Sequence, residues 1–274
     1  MIVPRRTLAS SARVEGLGLF SGAAARVDLL PSGEGLVFEA DGARAPATIA
    51  SVDEARSLRN TTLRVGERTI ATVEHLMSAL AAMGITDATI RVEGPELPLA
   101  DACASPWVDA IARAGVSDLG ESCEALRPAR VTRVERDGAW IEAEPCGADE
   151  ASWECTIDYA GVIPSATAGL TRRDLPMGFV RGVAPARTFC LRAEAEALRA
   201  AGLGLHLTDQ DVLVFDERGG GWSNPLRFPD EPARHKLLDL IGDLALLGRP
   251  LAARVRSHRG GHALTRALVR SLAG

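Results

Sequence analysis

Tyrosine is nearly missing from this chain of 274 residues: there is 1, beside 6 Phe and 4 Trp, and aromatic side chains make up only 4% of the sequence. So few rings leave little with which to stack bases, and the 46% hydrophobic content must be largely aliphatic. Positive charge is also short. Lys and Arg number 31 against 36 Asp and Glu, a net charge of −5 with no long basic run to offset it, so neither nucleic acid nor an anionic membrane is an expected partner. The 5 cysteines (Cys103, Cys123, Cys146, Cys155 and Cys190) are odd in number, scattered, and never form C-x-x-C. That excludes a disulfide framework and a thiolate zinc site, and it fits a reducing compartment. No apolar run long enough for a signal peptide or a membrane span follows the Arg5-Arg6 pair, so a cytoplasmic protein without a transmembrane segment is expected. Histidine is scarce too, at 5, which makes any grouping of histidines informative.

What is present is the composition of an ordinary globular protein, long enough for one large domain or two small ones. Short strand-like runs at residues 12–14, 25–30, 35–38 and 61–65 precede a strong helix signal over residues 72–83, with Thr72 as its expected N-cap and Gly84 as its stop. A strand at residues 87–92 and a helix at residues 105–114 follow, and residues 121–128 read as a linker. The second half repeats the plan. Strands are expected at residues 129–134, 139–143, 153–157, 212–215 and 252–255, and helices at residues 192–201, 232–247 and 263–272. Strands then helices, twice over, predict a two-domain α+β protein, with a division at residues 1–122 and 128–274 and duplication as one origin.

The chemistry concentrates in Arg234-His-Lys-Leu-Leu-Asp-Leu-Ile-Gly-Asp243. On a helix, His235, Asp239 and Asp243 fall at i, i+4 and i+8, so one nitrogen donor and two carboxylates share a face that can hold a metal. Two ligands do not make a site. Glu74-His75 can supply an imidazole and, beside it, a carboxylate able to act as general base, the combination a zinc hydrolase needs. Gly260-Gly-His262 offers a third histidine to protonate a leaving group or steady an oxyanion, with Asp243 setting its tautomer and raising its pKa. Each feature alone is also what an ordinary polar helix face, an adjacent pair or a turn looks like. The case for a metal hydrolase rests on their combination.

Thr72-Val-Glu-His-Leu, Ala186-Arg-Thr-Phe189, Leu226-Arg-Phe, the 234–243 segment and Gly261-His-Ala-Leu264 together resemble the UDP-3-O-acyl-N-acetylglucosamine deacetylases, from Arg6-Thr-Leu to the C-terminus. The resemblance implies two similar α+β domains, each layering helices against β-sheets, with the active site between them and a substrate-binding insert around residues 160–215 of the second. It implies a Zn²⁺ amidase acting on a UDP-linked amino sugar in lipid A synthesis, with Fe²⁺ as the other metal an N/O ligand set suits, and a monomer is expected. His75, His235 and Asp239 become the metal ligands and Glu74 the general base. His262, oriented by Asp243, becomes the acid or electrostatic partner. Thr188 would offer its hydroxyl to the oxyanion, Phe189 would line the sugar site, Lys236 and Arg259 would meet substrate oxygens or diphosphate, and Glu194 occupies an acidic family position.

Three departures from the family pattern concern substrate. The early turn Gly16-Leu-Gly-Leu-Phe-Ser-Gly22 has Phe20 where the family usually has histidine. In Gly202-Leu-Gly-Leu-His-Leu-Thr-Asp-Gln-Asp211, His206 and Leu207 stand where two glycines normally sit beside the acyl passage, which would narrow, reroute or remove it. A lone histidine such as His206 also reads as a packing or solvent-contact residue. The segment Asp158-Tyr-Ala-Gly-Val-Ile-Pro164 replaces the family's Phe-Asp-His-Pro-like turn. These departures keep open deacetylation of an N-acetyl substrate without the long acyl chain; a non-catalytic binding module is a separate reading, which the intact set Glu74, His75, His235, Asp239, Asp243 and His262 argues against.

Overall fold

A computed structural model describes residues 2–274. The first half runs β1 (Ile2–Leu8), β2 (Ala12–Leu17), β3 (Ala24–Leu30), β4 (Leu36–Ala40), β5 (Ala43–Pro46), β6 (Leu63–Val65), β7 (Arg68–Ile70), α1 (Glu74–Ala82), β8 (Ala88–Glu93), α2 (Ser105–Ala114) and β9 (Val116–Glu124). The second half runs β10 (Thr132–Arg136), β11 (Ala139–Pro145), β12 (Ser152–Ile157), β13 (Ala166–Thr171), α3 (Met177–Gly182), β14 (Phe189–Leu191), α4 (Arg192–Ala200), β15 (Leu213–Asp216), β16 (Gly221–Trp222), α5 (Glu231–Leu244), β17 (Ala253–His258) and α6 (His262–Ala273).

Each half holds a five-stranded sheet, ordered β2-β3-β8-β4-β5 in the first and β10-β11-β17-β12-β13 in the second. In both, the third strand of that order is the last in sequence. It pairs antiparallel to one neighbour and parallel to the other: β8 with β3 and β4, β17 with β11 and β12. Period-2 patterning makes these strands; β3 alternates buried and half-buried side chains from Ala25 to Leu30. The repeated plan read from the sequence is therefore a repeated topology. α1 corresponds to α5, each lying between the fourth strand and the last, and α2 corresponds to α6.

α1 is buried along nearly its whole length, Glu74 and His75 included, as expected of a helix packed between layers instead of lying on a surface. It packs on α5. Gly242 of α5 marks the closest approach, since a Cβ there would overlap the backbone carbonyl oxygen of Glu74. One buried apolar cluster joins Phe38, Leu76 and Leu80 of the first half to Leu237, Leu238 and Val255 of the second.

Two local readings need correction. Thr72 does not cap α1: it adopts a left-handed φ of 61°, and its hydroxyl lies 2.8 Å from Glu96 Oε1 and 3.0 Å from Asn60 Nδ2. The buried partners take the oxygen that a cap would offer to the helix. The segment expected to be a linker is β9 as far as Glu124, paired with β1, and Leu126 then bridges to Leu251. Gly84, with φ 74°, ends α1 as expected.

Candidate active site

The first turn of α1 meets the middle of α5. His75 and His235 stand edge to face with ring centroids 5.1 Å apart, and their Nε2 atoms lie 3.8 and 3.5 Å from the same atom, Asp239 Oδ1. One donor atom from each of these three buried residues falls within 4.8 Å of the others. The α-helical spacing of His235 and Asp239 places two of them, and the close approach at Gly242 brings the third.

The donor chemistry fits a divalent cation. Asp239 Oδ1 is buried without a hydrogen-bond partner, which is costly unless a charge meets it. Its other oxygen accepts from Lys236 Nζ at 2.9 Å. Burial resists ionisation of Asp239, but Lys236, His235 and His262 outweigh it and hold the carboxyl far below its usual range. Burial also pulls His75 down to about 3, with repulsion from His235 adding to it, and lowers His235 although Asp239 opposes. In both imidazoles burial thus favours the neutral form. His235 Nδ1 lies 3.0 Å from the Ala186 carbonyl oxygen; the carbonyl can only accept, so the proton sits on Nδ1 and the Nε2 lone pair faces Asp239. A buried pair secures that carbonyl: Arg187 Nε donates to Glu231 Oε1 at 2.9 Å, in the first turn of α5, and Arg187 N donates to the same oxygen at 3.0 Å.

Glu74 and His262 flank the cluster. His262 Nε2 lies 3.8 Å from Glu74 Oε1 and 3.7 Å from Asp239 Oδ2, while its Nδ1 donates to Asp243 Oδ2 at 2.8 Å. Burial pushes the Glu74 carboxyl up to about 7 against the opposing charge of His262. For His262, burial works against the charged ring, but Asp243 and Asp239 outweigh it and raise the group to about 9. A carboxyl near 7 beside an imidazole near 9 gives a base and an acid that coexist at neutral pH.

Sequence reasoning gave no part to Thr61, which links these groups. Its backbone N–H donates to Glu74 Oε2 at 3.0 Å and its hydroxyl to Asp243 Oδ1 at 2.5 Å. Arg187, Glu231 and Glu96 were also missed. Glu96 gathers the early turn by accepting from Ser21 N at 2.9 Å and Phe20 N at 3.1 Å. Arg187 lies inside a motif already singled out; the others carry no local signal.

A cavity of about 690 Å³ opens over the cluster. Glu74, His75, His235, Asp239 and His262 line it, as do Thr188, Phe189, Lys236, Arg259 and Glu194. Phe189 packs edge to face on His235 at 6.4 Å, with Lys236 Nζ 5.7 Å from its ring centre. Thr188 is positioned by its backbone, which donates to Ala102 O at 2.8 Å. Glu194 pairs with Arg59 of the first half at 3.1 Å. Leu207 lines an apolar part of the cavity with Leu19, Ala195, Leu198 and Val212. Phe20 adds to the lining. His206 is not among the lining residues: it is exposed and covers Gly22, where a Cβ would come within 2.7 Å of its Nδ1. Asp243 lies behind the cavity lining and contacts it through His262. No described helix is long and apolar enough to cross a membrane.

The family model for UDP-3-O-acyl N-acetylglycosamine deacetylase matches residues 5–274. Among similar proteins, each named UDP-3-O-acyl-N-acetylglucosamine deacetylase, the one from Myxococcus xanthus is 36% identical over 98% of this chain and 86% of its own length. That from Synechocystis sp. is 36% identical over 97% of this chain and 98% of its own. The Acidithiobacillus ferrooxidans protein is 33% identical over 99% and 90%, respectively. With the match running almost from end to end, the chain belongs to the UDP-3-O-acyl N-acetylglycosamine deacetylase family.

Proposed function

We propose that this protein is a metal-dependent amidase that removes the N-acetyl group from UDP-3-O-acyl-N-acetylglucosamine, giving acetate and the free amino sugar nucleotide for lipid A synthesis. The observation that carries the reading is the orphaned Asp239 Oδ1, faced by His75 Nε2 and His235 Nε2 at the floor of a cavity with an apolar wall. His75, His235 and Asp239 would hold the cation, Zn²⁺ in the first instance and Fe²⁺ as the alternative for the same donors. When bound, such an ion polarises an amide carbonyl and makes water more acidic.

The chain's own groups do the rest. Glu74, ionised above about pH 7, takes a proton from the attacking water. The His262 imidazolium and the Thr188 hydroxyl stabilise the oxyanion that develops as water adds to the carbonyl, a contribution of about 3–4 kcal/mol for a well-placed donor. The C–N bond then breaks, and a proton from Glu74 or His262 goes to the leaving amine. Phe189 lines the sugar site, Lys236 and Arg259 meet substrate oxygens or diphosphate, and Glu194 stands at the cavity wall.

The apolar wall around Leu207 favours an acylated substrate over an unacylated one, and the intact set of charged groups disfavours a non-catalytic module. The two units are proposed as residues 1–122 and 128–274, with the insert around 160–215 furnishing that wall. Five free cysteines support the reducing, cytoplasmic compartment. The test measures acetate release by the zinc-loaded protein from acylated and unacylated UDP-N-acetylglucosamine. Release from the acylated compound alone, or far faster, is expected. Equal rates would remove the acyl preference, and no release from either would overturn the proposal.

A further inference from the structure

A second cleft, of about 300 Å³, shares no lining residue with the first. It lies where the C-terminal ends of α1 and α5 meet both sheets. Its walls are apolar: Leu36 of β4, Ile85 beyond α1, Trp153 of β12, and Ile241 and Leu244 of α5. Its volume is at the lower end of the roughly 300–1,000 Å³ typical of small-molecule sites.

Charge at this cleft is unbalanced. Glu34 and Asp87 reach it, but both are satisfied within the protein. Glu34 pairs with Arg44 at 2.7 Å, and Asp87 pairs with Arg5 while accepting from Gly35 N at 2.7 Å and Thr86 Oγ1 at 2.6 Å. Arg172 and Arg249 also line the cleft, and among the described residues neither guanidinium has an ion-pair or hydrogen-bond partner. An apolar pocket with two uncommitted guanidiniums complements a ligand with an apolar body and an anionic head.

We propose that this cleft binds a single-chain anionic amphiphile, a medium-chain alkyl carboxylate or alkyl phosphate, with its tail along the Leu36, Trp153 and Leu244 wall and its head met by Arg172 and Arg249. An occupant would touch α1, α5 and both sheets together, so binding should raise the melting temperature of the protein.

Two thiols report on the two cavities separately, because Cys123 lines the second cleft and Cys190 the first. The zinc-loaded protein is treated with N-ethylmaleimide, alone or with decanoate, decyl phosphate or decanol below micelle-forming concentrations, and each cysteine is followed by peptide mapping. At least one of the two anions should slow modification of Cys123 fivefold or more, whatever it does to Cys190 in the cavity proposed for an acyl chain, and decanol should not slow Cys123. The stronger protector identifies the preferred head group. Calorimetry adds a second readout: the double variant R172E/R249E should lose at least tenfold in affinity for that anion and keep its acetate release. No binding of either anion, unchanged affinity in the double variant, equal protection by decanol, or protection confined to Cys190 would each overturn the proposal.

Discussion

The two halves of the molecule share one frame and differ in what interrupts it. Each has the same five-strand order, a helix before the last strand and a helix after it. Between the fourth strand and the first of those helices, the first half inserts the small β6-β7 hairpin and its flanking loops. The second half inserts α3, α4 and the β14-β15-β16 sheet. The frames supply the charged chemistry: Glu74 and His75 from α1, His235, Asp239 and Asp243 from α5, and His262 from α6. The insertions supply positioning and cavity walls, with Thr61 on one side and Thr188, Phe189 and Leu207 on the other. A repeated scaffold thus becomes an asymmetric site, because the helices that correspond carry different proposed ligands and only their close packing brings the set together.

The largest expected effect comes from removing the base proposed in the first half. Glu74→Gln should lower acetate release by about 10²–10⁴-fold; a loss under tenfold would move the base elsewhere. Next is the helix contact itself. Gly242→Ala puts a Cβ into the Glu74 backbone, which cannot yield as a flexible side chain would, and should cost about 1–3 kcal/mol or more of stability. Denaturant unfolding of the two proteins measures it, and an unchanged midpoint would refute the close packing.

The proposed pairing of base and acid across the halves would set the pH profile. Glu74 works ionised, so activity should rise with pH through about 7, and His262 works protonated, so activity should fall through about 9. A rate still climbing above pH 10 would separate His262 from the chemistry. The smallest effect is at residues 100–102, where Ala100, Asp101 and Ala102 have φ of 49°, 68° and 55° and Ala102 O holds Thr188 N. Ala102→Gly relieves roughly 1–2 kcal/mol of left-handed strain, returns roughly 0.4–1 to the unfolded chain's entropy, and gives up about 0.8 for the buried Ala102 methyl. The unfolding free energy should change by no more than about 0.5 kcal/mol, and a loss above about 1 kcal/mol would show that the Ala102 methyl matters more than its backbone.

Much of this site was legible in the sequence because helical periodicity is local. His235, Asp239 and Asp243 occupy one short segment, and Glu74 and His75 are adjacent. What escaped was long-range or conformational. Thr61 reaches Asp243 from 182 positions away, and β1 pairs with β9 across most of the first half, with no pattern in either segment that names its partner. Thr72 looked like a cap because caps favour threonine, and only burial beside Glu96 and Asn60 decides otherwise. The short elements β14, β16 and α3 are too brief for periodicity to register. His206 drew notice by its chemistry, yet it packs on Gly22 outside the cavity, because residue type alone does not say which way a loop faces.

The central claim is that one metal site is assembled from both halves. Elemental analysis of the purified protein beside His75→Ala, Asp239→Ala and Glu74→Gln tests it most directly. One tightly held divalent ion per chain is expected in the parent and in Glu74→Gln, and a strong loss in His75→Ala and in Asp239→Ala. Full metal content in His75→Ala would contradict the account, since the first half would then contribute no ligand.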